Sequence, residues 1–174
     1  DKPMILHHVH AFLERGWTVV VAGVNEARAA LLEESDVSMI SVNEERGRRG
    51  PIRGILAGLE AIPGDAWVQL SPCDAPHLIN TILGIKDEMN SKSMWMPVWF
   101  KGGERCPEPL WACGPKKVVL RAVLEHDGPL HMRFTNVGCM EQLITLPLPD
   151  ISSLNTMNEL KDITEKMVMS GNGC

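Results

Sequence analysis

A single carboxylate, Asp74, stands between two prolines at the end of an apolar run, Trp67-Val68-Gln69-Leu70-Ser71-Pro72-Cys73-Asp74-Ala75-Pro76. The run reads as a short buried strand halted by Pro72 and Pro76. In open α/β sheets ligands bind beyond the carboxyl ends of the strands, where an acidic side chain suits a hydrated Mg²⁺. Asp is equally a common helix cap, here for a helix starting near His77, and the local pattern weighs the two roles alike.

Two further segments carry chemistry. From Asn43 to Gly54 the chain reads Asn-Glu-Glu-Arg-Gly-Arg-Arg-Gly-Pro-Ile-Arg-Gly. Arg46, Arg48, Arg49 and Arg53 either grip phosphate or form a solvated surface offset by Glu44 and Glu45. The stretch from Lys101 to Pro109, which contains Arg105, is so punctuated by glycine and proline that an irregular loop is expected. Loops of that kind on a rigid sheet tend to hold ligands. His7, His8 and His10 gather on one predicted helix but lack the further partner that zinc would require. No Gly-x-Ser-x-Gly elbow is present, and no histidine is placed by a hydrolase motif to activate Ser71 or a cysteine.

The elements that must position these residues alternate. Ile5, Val9, Phe12 and Leu13 recur at helical spacing and stop at Gly16; a β-branched strand follows from Thr18 to Ala22. A helix is expected over Glu26–Glu34, a strand over Val37–Val42, and a helix opened by Pro51 with Ile52, Ile55, Leu56, Leu59 and Ile62 on one stripe. After the Asp74 strand come a helix carrying Leu78, Ile82, Ile85 and Met89, a strand from Met94 to Phe100, and a helix from Lys116 to Leu124. Leu143–Leu146 suits an edge strand, and Thr156-Met157-Asn158-Glu159 is a capping box for a last helix. Strand and helix in alternation predict an α/β fold with a mostly parallel sheet.

With 174 residues, 44% apolar content and a net charge of −5, the chain is expected to form a single domain over residues 1–174. The acidic balance argues against nonspecific nucleic-acid binding, and no apolar run has the length of a membrane helix, so a cytoplasmic location is expected. Five cysteines, odd in number and never two residues apart, argue against a disulfide framework or a zinc ribbon.

Taken in order and spacing, Gly50-Pro51-Ile52-Arg53-Gly54-Ile55, Pro72-Cys73-Asp74-Ala75-Pro76, Glu108-Pro109-Leu110 and Asn155-Thr156-x-x-Glu159-Leu160 resemble the MobA-like nucleotidyltransferases, in particular the molybdenum cofactor guanylyltransferase branch. Lys2-Pro3-Met4-Ile5-x-x-His8 is similar to the family's lead into its first helix. The resemblance implies a three-layer α/β/α, Rossmann-like nucleotidyltransferase fold. It implies transfer of GMP from GTP to molybdopterin, the molybdenum cofactor, with release of pyrophosphate.

By the same resemblance Asp74 is the catalytic residue and the ligand of Mg²⁺ or Mn²⁺. Asn43, Gly50, Pro51 and Asp74 would bind the nucleotide, and Arg105 and Asn155 the pterin. Proteins of cofactor biosynthesis or molybdoenzyme maturation are the macromolecular partners it suggests. The family's leading strand and glycine-rich phosphate loop have no counterpart in the sequence ahead of Pro3. Ala22 stands where the family usually has Asn, Asn43 where it has Asp, and Ser153 where it has Asn. Cytidylyl or sugar-phosphate nucleotidyl transfer on the same fold, or a noncatalytic binding paralogue, are the alternatives.

Overall fold

A computed structural model describes residues 3–24, 26–33, 37–40, 50–75, 78–86, 93–101 and 103–144. Asn43, Asn155, the arginines at 46, 48 and 49, and the C-terminal capping box lie outside the described residues. The chain runs α1 (Met4–Leu13), β1 (Val19–Ala22), α2 (Glu26–Leu32), β2 (Val37–Ile40), α3 (Ile52–Ala61), β3 (Trp67–Gln69) and α4 (Ile79–Lys86). It continues with β4 (Trp95–Lys101), β5 (Glu104–Pro107), a 3₁₀ turn (Pro109–Trp111), β6 (Cys113–Pro115), α5 (Lys116–Glu125), α6 (Leu130–Asn136) and β7 (Met140–Leu143).

The strands form two sheets. β1 and β2 pair in parallel, joined through α2 as a parallel pair requires. The larger sheet has the order β3-β6-β4, with β5 and β7 also bonded to β4. Both β3 and β5 run antiparallel to their partners, as does β6 against β4, while β4 and β7 are parallel. β7 uses the same Trp95–Val98 stretch that meets β6 and β5, so it must occupy the opposite edge of β4.

The mostly parallel sheet expected from alternation is therefore corrected: most pairings among the described residues are antiparallel. The cause lies at Gly102-Gly103. Read as a breaker, this stretch instead joins paired strands: Lys101 faces Glu104, and Gly103 has a positive φ of 85°, as hairpin turns favour. The loop expected to be irregular is thus half strand, and it returns the chain along β4. Beyond the 3₁₀ turn, β6 slots between β4 and β3. There Gly114 passes so near β4 that an added Cβ would lie 2.8 Å from the Met94 Cα.

Period-two alternation along β4 sends side chains to two cores. Trp95 and Trp99 join Phe12, Ile79, Ile82 and Leu83 beside α1 and α4. Met94 and Met96 join Ile55, Leu59, Val119, Val123 and Phe134 beside α3, α5 and α6. Helices thus cover both faces of the larger sheet. Val9, Val24 and Leu32 make a third cluster around β1 and β2.

Between the two sheets the chain leaves a gap. Among the described residues β1 bonds only to β2 and β3 only to β6, so each keeps one bare edge. A cavity of about 1000 Å³ lies between them, with α1 and α3 contributing to its walls. Consecutive residues of both strands line it, Val19 to Ala22 and Trp67 to Gln69, as strands viewed edge-on would. Gly54 and Gly58, one turn apart on α3, face β1, where a Cβ at either would make an ordinary 3.9 Å contact with the Ala22 Cβ.

Candidate active site

β3 is three residues long and ends at Gln69, after which Leu70–Asp74 turns away from the sheet. Backbone and side-chain bonds pin the start of that turn to the 3₁₀ segment. The Leu70 N–H donates to the Ala112 carbonyl at 2.9 Å, and the Gln69 amide donates to the Leu70 and Trp111 carbonyls, each at 2.8 Å. His8, reaching in from α1, makes a 2.8 Å hydrogen bond between its Nδ1 and the Ser71 Oγ. Its ring stacks on Trp111, with centroids 5.7 Å apart and planes inclined by 25°. Asp74 follows at the far end of the turn, half-buried.

The 3₁₀ segment presents a second carboxylate. Glu108 is fixed by its own N–H, which donates to the Pro97 carbonyl at 2.9 Å, and by its carbonyl, which accepts from the Trp111 N–H at 3.0 Å. Burial, and after it the negative charge of Asp74, push the Glu108 carboxyl from 4.5 up to about 7. Two carboxyls from distant parts of the chain thus share one neighbourhood. Among the described residues no group of three or more His, Cys, Asp and Glu side chains is arranged to hold a metal. Two carboxylates still fit Mg²⁺, which keeps several waters and binds through one or two carboxylates plus the phosphates of a substrate.

Gly50 and Pro51 open α3. Gly50 is exposed with φ at 113°, a backbone setting that an L side chain resists, and Pro51 supplies the φ of −74° that a helix start favours. Pro51 lines the same cavity as Ser71, Pro72 and Cys73, so the start of α3 and the turn leading to Asp74 share its wall. Arg53 is half-buried on α3. Arg105 does not line the cavity; it lies on β5 in an exposed ion pair with Glu141 of β7, its Nε donating to a carboxylate oxygen at 3.1 Å.

Glu108 and His8 enter the sequence reading as members of the family-like motifs, with no site role given to either. Glu108 has only the Glu-Pro-Leu spelling to mark it, since its neighbour Asp74 comes from another strand. His8 is grouped by eye with His7 and His10, but its position one residue before Val9 and four before Phe12 puts it on the buried stripe of α1.

No helix among the described residues is long and apolar enough to cross a membrane. No curated protein matches the sequence. Residues 1–135 match the MobA-like NTP transferase domain, a span that includes the Asp74 turn, the Gly50-Pro51 corner and Glu108. That match extends over most of its length, and the chain belongs to the MobA-like NTP transferase family.

Proposed function

We propose that within nucleotidyl transfer of the MobA-like kind, which the family carries, this chain transfers GMP from GTP to molybdopterin and releases pyrophosphate. The observation that supports the reading is that Pro51 and the turn residues Ser71 to Cys73 line one cavity, while Asp74, next along that turn, lies near enough to Glu108 for its charge to act on it. Both reactants are anions, so positioning and charge neutralisation carry the rate.

Asp74, with Glu108 beside it, is the set that would hold Mg²⁺ or Mn²⁺, and the cation would supply the charge that offsets the nucleotide phosphates. The start of α3 suits a phosphate oxygen as helix N-termini do, and Gly50, without a side chain, lets that phosphate approach. Asn43 is assigned to the nucleotide, and Arg105 and Asn155 to the pterin, on the resemblance alone. Arg105 would have to exchange Glu141 for an incoming anion. The partners remain GTP, molybdopterin, and proteins that build the cofactor or mature the enzymes that use it.

The test compares pyrophosphate release and calorimetric binding with GTP and with CTP in the presence of Mg²⁺. GTP is expected to bind and turn over. Asp74→Asn is expected to lower the rate about 10²- to 10³-fold, as loss of one charge-stabilising group does, with circular dichroism unchanged. Loss of folding with activity per folded molecule retained would instead make Asp74 a helix cap, and preference for CTP would replace guanylyl with cytidylyl transfer.

A further inference from the structure

His8 is the buried polar residue of the described core, 5% exposed, and it touches both segments that bring a carboxylate to the site. Through Nδ1 it bonds Ser71, which begins the turn to Asp74. Through its ring face it packs on Trp111, whose N–H donates to the Glu108 carbonyl. A third tie runs directly between the two segments, from the Gln69 amide to the Trp111 carbonyl. Burying an imidazole among apolar neighbours is costly unless its polar atoms are bonded, so the Ser71 bond is part of what holds His8 in place.

From this geometry we infer that His8 is a positioning residue: it fixes the spacing of the Asp74 turn against the Glu108 turn, and so the separation of the two carboxylates. This rests on the metal reading above for its consequence, though not for its contacts. The arrangement is directional. A side chain on α1 sets where two groups on other segments stand. Positions held by packing and by a hydrogen bond behind the reacting groups are what keep a site within the tolerance its chemistry needs.

The pairing of Ser71 and His8 can be separated from general stability. His8→Phe keeps an aromatic face for Trp111 and removes the bond to Ser71; Ser71→Ala removes the same bond from the other side. Mn²⁺ affinity, read by electron paramagnetic resonance, is expected to weaken about tenfold in each variant and no further in the double variant, because each removes the same interaction. Losses that multiply in the double variant, or wild-type affinity in His8→Phe where Asp74→Asn has lost the ion, would overturn the inference.

Should Asp74→Asn bind Mn²⁺ as the wild type does, the metal reading falls, and hydrogen exchange decides the rest. Faster exchange at both Leu70–Ala75 and Glu108–Ala112 in His8→Phe, with α5 and α6 unchanged, sustains His8 as the residue that couples the two turns. Unchanged exchange at both turns, or an increase spread over the whole chain, overturns it.

Discussion

The charge of Asp74 reaches Glu108: burial first and that neighbouring carboxylate second move the Glu108 carboxyl up to about 7. The pair ties the end of β3 to the segment between β5 and β6. Two like charges brought this close repel, so ionising both works against the fold.

A pH dependence of stability follows from the sign of that shift. Glu108 titrates at 4.5 when unfolded and near 7 when folded, so its contribution is full below pH 4.5 and is lost as pH rises through 7. With solvent screening of a partly exposed carboxyl allowed for, the loss is about 1–2 kcal/mol. Glu108→Gln is expected to flatten this slope. Urea titrations of both proteins at intervals from pH 4.5 to 8, in chelator, measure it; parallel curves would show that Glu108 ionises freely.

The close approach of Gly114 on β6 to Met94, just ahead of β4, is a steric constraint. A Cβ at Gly114 would sit 2.8 Å from both the Cα and Cβ of Met94 and 2.9 Å from its Cγ, and backbone cannot rotate away as a side-chain tip can. Gly114→Ala is expected to cost about 1–3 kcal/mol, the usual penalty of overpacking. A wild-type denaturation midpoint in that variant would mean the strands separate easily.

The cysteines report on the site. Cys73 is exposed next to Asp74, whereas Cys113 is buried and burial pushes the Cys139 thiol up to about 12. Only a thiolate attacks an alkylating reagent, so Cys73 is expected to react with iodoacetamide well before Cys113 or Cys139 at pH 8. Mg²⁺ with GTP is expected to slow Cys73 severalfold. Peptide mass spectrometry follows each site, and labelling of Cys73 indifferent to nucleotide would place the nucleotide elsewhere.

What could be read from residues alone divides along physical lines. α3 was legible because Pro51 and the stripe Ile52, Ile55, Leu59 are local signals, and α1 because Gly16 stops it. α6 is missed: after the Pro129 break it is seven residues long, too short for periodicity to stand out. Strand direction was misjudged because Gly102-Gly103 has two meanings, a stop and a hairpin, and only the partner strand decides between them. At the site, Asp74 stood out by its flanking prolines. Glu108 did not, for its altered proton affinity comes from burial and from a residue on another strand, and neither is written in its own segment.

The bare sides of β1 and β3 have a consequence for handling the protein. Among the described residues these edges carry no strand partner, and an open strand edge is a template for an extended peptide. Copies of the chain held at high concentration are expected to pair through those edges, so solubility should fall steeply with concentration and recover when a strand-forming peptide is added.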